Sequence, residues 1–238
     1  VTYTVKDTEN YEGATATVEV IISKKAITVT ANSANKVYGK TDPALTCTVP
    51  TLVGEDTLSL EVTRVAGENV GEYDITVSEK GTANSNYDIT FVKGTFTITK
   101  ATNSITVDTT LIEVTYGDVI TLPTAKSTFG EVTCDKTVAD LVNAGTYTVT
   151  YTVKDTENYE GATATVSVTI KAKNITSSMF NEISDVEVEK GNVLGTPVPT
   201  LVSGANATFT YSYEGNTDLG PAIVIVTGTG NYTGTIEL

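Results

Sequence analysis

The amino-acid sequence predicts an all-β protein built from small tandem sandwich modules, and three observations carry that prediction. Apolar and polar residues alternate with period two along most of the chain. Threonine and valine supply 47 and 30 of the 238 residues, and both are β-branched, which suits a pleated, half-buried surface. Landmark residues recur about every 74 positions.

The alternation is cleanest where Tyr147, Val149, Tyr151 and Val153 face one way while Thr146, Thr148, Thr150 and Thr152 face the other. Ala162, Ala164, Val166, Val168 and Ile170 oppose Thr163, Thr165 and Thr169 in the same manner, as Phe96 and Ile98 oppose Thr95, Thr97 and Thr99. Strands of this kind have one apolar and one wet face, an arrangement that antiparallel sheets sustain. Helical periodicity is confined to a short turn at Thr137 to Asn143 and a similar piece at Pro50 to Asp56. Roughly six or seven short strands in each stretch of about 75 residues point to an immunoglobulin-like β-sandwich. A β-grasp module, which needs a real crossing helix, is the alternative.

Internal repetition sets the organisation. Residues 1–20 recur at 149–168 with one difference, Glu19 against Ser167, an offset of 148. Weaker copies lie at half that distance. Asn-Tyr pairs stand at Asn10-Tyr11, Asn86-Tyr87, Asn158-Tyr159 and Asn231-Tyr232; a glycine opens a strand at Gly71, Gly145 and Gly220; another follows a strand at Gly39, Gly117 and Gly191. Lys25-Ala26, Lys100-Ala101 and Lys171-Ala172 mark the starts of modules. The chain therefore divides into a C-terminal remnant of one module at 1–24, full modules at 25–99 and 100–171, and a module at 172–238 truncated at its last strand. It begins at Val1 without a basic n-region or an apolar signal core, and reads as a piece of something longer. The remnant has strands without partners, so it is expected to pack on the next module or pair with another chain. No Pro-rich or Gly/Ser-rich spacer separates the modules, which predicts stiff, closely abutting units in an elongated array. Strands of about 8–10 residues at about 3.3 Å each, plus loops, give modules of roughly 30–40 Å and a rod of ~100 Å or more.

Composition excludes several function classes. The chain has no histidine, tryptophan or glutamine, so Ser-His-Asp and Cys-His catalysis in their usual forms, histidine-ligated zinc and imidazole switching are absent. Fifteen basic against 29 acidic residues give a net charge of −14, with a single arginine at Arg64. Nucleic acid and anionic membrane surfaces repel such a chain, and no apolar run reaches the ~20 residues of a membrane span. No paired carboxylates stand out for acid–base work, so the chain reads as no enzyme.

Each remaining candidate site has a structural reading beside its chemical one. The tyrosines of the Asn-Tyr pairs, Tyr87, Tyr159 and Tyr232 among them, read as corner tyrosines that pack on a core and bond their hydroxyl to backbone; sugar stacking is the functional alternative. Gly39, Gly117 and Gly191 read as turns of positive φ rather than phosphate cradles, since no basic cluster or nucleotide motif surrounds them. The acidic loops Lys6 to Asn10 and Lys154 to Asn158 read as solvated turns, with calcium there or at module junctions as the alternative; no cofactor is otherwise implied. Cys47 and Cys134 alternate in phase with inward residues and read as buried free thiols rather than a disulfide. A Lys-Asn isopeptide is weighed against lysines such as Lys93, Lys100 and Lys171 that sit at turns or module boundaries. Threonine ladders of the ice-binding kind need a flat lattice that twisted sandwiches spoil.

Residues 25–99 carry a family resemblance in AITVTANSANKVYGKTDPALT, GEDTLSL, NVGEYDIT and SNYDITFVKGTFTITKA. They resemble the MBG-type repeats of bacterial surface proteins, in the variant marked by Tyr-Gly-X, here Tyr38-Gly39-Lys40 followed by Asp42-Pro43. In 100–171 Tyr116-Gly117-Asp118 survives without the Asp-Pro pair, and in the last module Lys190-Gly191 stands in that place, leaving Gly220 and Asn231-Tyr232. The resemblance implies a non-catalytic stalk segment of a bacterial surface or wall-attached protein, often an adhesin, lying outside the cell and extending a distal binding domain. The partners it implies are neighbouring modules of the same chain. The alternative function is an adhesin module that itself contacts host glycan or protein.

Overall fold

A computed structural model describes residues 1–81, 84–184, 189, 197–215 and 222–238. The chain divides into two compact units, Val1–Ala101 and Thr102–Leu238. Both are all-β: the helical elements among the described residues are the 3-10 turns Val138–Asp140 and Ser177–Met179. No helix among them is long and apolar enough to cross a membrane.

The first unit opens with an antiparallel hairpin of β1 (Thr2–Val5) and β2 (Ala14–Thr17). Residues 1–24 are exposed throughout, which corrects the expectation that this segment packs on the module behind it. Strand β3 (Lys25–Ala31) pairs in parallel with β8 (Tyr87–Val92) along most of its length and with β5 (Cys47–Thr48) at Thr30 and Ala31, and the hairpin pairs with neither edge.

The second sheet of this unit has the order β4-β9-β7-β6, with β4 (Ala34–Val37), β6 (Leu60–Arg64), β7 (Gly71–Glu79) and β9 (Gly94–Thr99). Its inner residues Ile75, Phe96 and Ile98 meet Ile27, Val29 and Ala31 of β3, and these form one core between two sheets. That is a β-sandwich, held by burial of alternate side chains. The pairs β3–β8 and β4–β9 are parallel, because the first and last strands of the module run side by side and pass together from one sheet to the other. At that crossing a Cβ on Gly94 would stand 2.6 Å from the Ala31 carbonyl oxygen, so only glycine fits.

The second unit repeats the plan. Strands β10 (Ile105–Val107) and β12 (Ala125–Ser127) form one sheet; β11 (Leu111–Thr115), β15 (Ala162–Lys171), β14 (Gly145–Val153) and β13 (Thr133–Cys134) form the other in that order. Val149, Tyr151, Val166, Val168 and Ile170 fill the space between them, with Leu141. A further core in this unit gathers Ile175, Phe180, Val224, Val226 and Tyr232. It lies among β16 (Lys173–Asn174), β17 (Phe209–Glu214), β18 (Ile223–Gly228), β19 (Tyr232–Thr233) and β20 (Thr235–Glu237), with β16 paired to β19 and β18 between β17 and β20.

The sequence turn at Thr137 to Asn143 is the first 3-10 element, capped where Asp140 Oδ2 accepts the Thr137 amide at 2.7 Å and its hydroxyl at 2.9 Å. Pro50 to Asp56 contains no helix; the Asp56 amide closes a turn on the Val53 carbonyl at 3.1 Å, with Gly54 at φ 56°. Neither segment supplies the crossing helix of a β-grasp fold. One cysteine also departs from expectation: Cys47 is half-buried against the first core, but Cys134 is exposed. Strand β13 is a two-residue edge, and its thiol turns out to donate to the Lys136 carbonyl at 3.1 Å.

Candidate functional site

The Tyr-Gly corner of the first unit sits where β4 ends. The Tyr38 amide donates to the Thr99 carbonyl at 2.8 Å and the Lys40 amide closes the turn on Val37 at 3.1 Å. Gly39 takes φ 78°, a backbone region open to glycine. One turn earlier, β4 carries Lys36 inward, its side chain only 4% exposed. An unpaired ammonium there would be strongly disfavoured. Four charges meet instead. Lys36 Nζ lies 2.7 Å from Asp42 Oδ1 and also bonds Glu68, while Arg64 Nη2 lies 2.8 Å from Glu68 Oε1 and Arg64 Nε bonds the second oxygen of Asp42.

The guanidinium also donates to the carbonyls of Val65 at 2.9 Å and Gly67 at 2.7 Å, and its carbon stands 4.7 Å from the centroid of the Phe96 ring. This use of a planar fork and a flat cation over a ring explains why arginine occupies the place. Hydrogen bonds from Arg64 and then Lys36 hold the Asp42 carboxyl down at about 2. The same bonds favour the charged form of Lys36, led by that to Asp42.

The corner of the second unit has the same backbone and different side chains. Gly117 takes φ 93°, the Asp118 amide donates to Thr115 at 2.9 Å, and Asp118 Oδ2 accepts the Thr115 amide at 2.9 Å. Val114 replaces Lys36 two residues before the tyrosine, paired with Ile170 as Lys36 is with Ile98. Ile120 stands where Asp42 does, four residues after the tyrosine, and Val142 where Glu68 does, one before an asparagine. Arg64 has no direct counterpart: the chain takes its 3-10 turn and sends Leu141 into the core, 4% exposed. A shallow cleft of about 330 Å³ remains here, lined by Tyr116, Ile120, Val138, Leu141 and Val142.

Within the second unit a joint connects its two cores. Strand β15 ends at Lys171 and β16 begins at Lys173, so Ala172 alone lies between them. Asn231 clasps across this joint: its Oδ1 accepts the Ala144 amide at 2.7 Å and its Nδ2 donates to Asn143 Oδ1 at 2.9 Å. The neighbouring Tyr232 meets Tyr116 of the Tyr-Gly corner edge to face, with centroids 5.6 Å apart. Asn143 is itself fixed, since its carbonyl accepts the Tyr147 hydroxyl at 2.9 Å. Landmarks that the sequence placed far apart, Tyr116, Gly145 and Tyr232, therefore converge on one joint.

Residues 27–97 match the family model of the MBG domain (YGX type). The resemblance read from Tyr38-Gly39-Lys40 and Asp42-Pro43 is borne out over that MBG module, and Asp42 now has a physical role as the carboxylate that both cations share. Residues 27–97 of the first unit are thus similar to a domain of MBG type, and that stretch is called the MBG module. Among solved structures, the crystal structure of Drosophila N-cadherin EC1-4 matches at 12% identity over 98% of this chain and 80% of that one, with a TM-score of 0.26. No curated protein matches the chain.

The Asn-Tyr landmarks differ in surroundings. In the MBG module Tyr87 is 5% exposed, accepts the Val53 amide at 2.9 Å and donates to Asp56 at 2.8 Å. Tyr159 stacks on Phe129 with centroids 4.2 Å apart, Tyr232 is buried at the joint, and Tyr11 is exposed. Gly71 of the MBG module and Gly145 each open a strand whose third residue is a tyrosine, and the Tyr73 hydroxyl donates to the Asn69 carbonyl at 2.7 Å as Tyr147 does to Asn143. The sequence reading missed this unit, although Asn-X-Gly-X-Tyr stands at both 69–73 and 143–147. Gly191 and Gly220 lie outside the described residues.

Both acidic loops are closed on themselves: Asp7 accepts the Gly13 amide and Asp155 the Gly161 amide. No grouping of three or more cysteine or carboxylate side chains that could hold a metal ion occurs among the described residues. Lys93 and Lys171 make exposed ion pairs with Asp74 and Glu113, each at 2.7 Å.

Proposed function

We propose that the chain is a non-catalytic spacer segment of a bacterial surface protein or adhesin, working outside the cell to extend a distal binding domain. In this reading 25–99, 100–171 and 172–238 are successive modules, 1–24 belongs to a further one, and the partners that matter are neighbouring modules. The observation that carries it is the joint: one intervening residue, a side-chain clasp from Asn231 and a tyrosine pair. A linker of this kind leaves little free rotation, and a spacer has to transmit orientation rather than absorb it. The MBG match over residues 27–97 supports the same reading.

Residual dipolar couplings on the intact chain test it. The cores around Val166 and Val226 are expected to report one common alignment tensor. Two independent tensors would mean a free hinge at Ala172 and would overturn the spacer reading.

A further inference from the structure

Residues 1–20 and 149–168 are nearly the same sequence in opposite surroundings. Their hairpins even share a register: Thr2↔Thr17, Tyr3↔Ala16 and Val5↔Ala14 repeat as Thr150↔Thr165, Tyr151↔Ala164 and Val153↔Ala162. Burial separates them. Tyr151, Val153, Val166 and Val168 are 5%, 3%, 0% and 0% exposed, while Tyr3, Val5, Val18 and Val20 are 64%, 66%, 52% and 63% exposed. The cover of the second copy is known: β11 runs parallel to β15, β13 pairs with β14, and Ile105, Val107 and Ala125 of the facing sheet pack on the core. An isolated two-stranded hairpin is marginal in water, and a contiguous exposed apolar row marks an interaction surface.

We propose that the apolar face of the hairpin at residues 1–24 is a docking surface, and that its occupant is a module front half of the kind formed by residues 102–148. The near-identity of sequence fixes the complementarity, because a front half that closes over Tyr151, Val153, Val166 and Val168 meets the same side chains at Tyr3, Val5, Val18 and Val20. The one difference is compatible: Ser167 lies between two inward valines and points to the wet face, where Glu19 is accommodated. Ile22 continues the row, 94% exposed where its counterpart Ile170 is 4% exposed.

The test fuses a copy of residues 102–148 directly ahead of Val1 in the full chain and follows hydrogen exchange by mass spectrometry. Peptides that contain Glu19 differ in mass from those that contain Ser167, so the two copies are read separately. Amides of Ala14 to Val20 are expected to slow by at least ~100-fold on fusion, towards the rates of Ala162 to Val168. Exchange that stays as fast as in the unfused chain overturns the proposal. A second fusion with the grafted Ile112→Asp is expected to lose the protection; its persistence would mean a cover without the sandwich interface, and would also overturn it. Protection that arises in the unfused chain with rising concentration would assign the surface to a second copy instead and overturn the stated occupant.

Discussion

At the first Tyr-Gly corner β4 carries a lysine inward and three further charges surround it; at the second, Val114 takes the lysine's place, Ile120, Leu141 and Val142 line a shallow cleft, and the one carboxylate, Asp118, bonds the Thr115 amide rather than a cation. The backbone turn is shared, with Gly39 and Gly117 both at positive φ. The residues that differ therefore solve one packing problem in two ways. A network of paired charges fills the space at the cost of desolvation, whereas the aliphatic corner buries Leu141 and leaves a shallow cleft beside it. The exchange has to be collective, since one charge left alone in the apolar corner would lack a partner.

The largest expected effects come from removing the floor of each corner. Phe96 lies under Arg64 and is fully buried, and Leu141 is the residue that enters the core of the second unit. Phe96→Ala should destabilise the first unit by about 3–5 kcal/mol and Leu141→Ala the second by about 2–5 kcal/mol. Urea denaturation, with exchange-resolved assignment to each unit, measures both. If Phe96→Leu, which keeps most of the volume, loses nearly as much as Phe96→Ala, the ring face beneath the guanidinium matters more than filled space. If it loses little, the corner depends on volume and the two solutions are closer than their chemistry suggests.

A smaller effect belongs to the joint. Asn231→Ala removes two side-chain hydrogen bonds, each contributing about 0.5–1.5 kcal/mol. A total loss of about 1–3 kcal/mol is expected in the core around Tyr232, with a second alignment tensor appearing in the dipolar couplings. Asn231→Asp keeps an acceptor for the Ala144 amide but cannot donate to Asn143, so it should fall between. Equal loss in both variants would locate the clasp in the Asn143 contact.

How much of this was legible follows from what each feature depends on. Strands such as Gly145–Val153 were plain because their alternation is local and one face is buried. The sandwich followed from their number and spacing. Cys134 was misread because phase alone does not reveal that its strand has two residues and lies at a sheet edge. The parallel pairs were invisible because alternation carries no strand direction. Arg64 was noticed only as a lone arginine; Glu68 is four residues on, but its other partner Asp42, and Lys36 that shares both carboxylates, lie far from it in sequence, and only the fold collects them. The joint was half legible: Asn231-Tyr232 stood out as a landmark, but its receptor, Asn143 and Ala144, did not.

The least change at neutral pH is expected from transplanting the apolar solution into the first unit, with Lys36→Val, Asp42→Ile, Arg64→Leu and Glu68→Val made together. Only the two cations of the network are buried, with Asp42 35% and Glu68 68% exposed, and replacing buried paired charges by aliphatic groups is often neutral or stabilising, so the thermal midpoint near pH 7 should hardly move. Acid distinguishes the two forms. Asp42 has its carboxyl lowered from 3.8 to about 2 by Arg64 and Lys36, and Glu68 is lowered by Lys36 and Arg64. A depressed carboxylate contributes stability that is present above its unfolded value and is lost as pH falls through its folded value. The natural first unit should therefore lose stability between about pH 4 and pH 2, and the quadruple variant should lose less over that interval. Lys36 is raised above 10.5 by Asp42 and then Glu68, so its share is present below that value and is lost as pH climbs beyond it. The comparison has to be made within the first unit, because Asp135 and Asp140 are also lowered in the second, the former by Lys136 and the Thr150 amide and the latter by the Thr137 amide and hydroxyl. Parallel acid profiles for natural and quadruple forms would show that the network fills space without contributing through its charge, and the two corners would then be equivalent in energy as well as in shape.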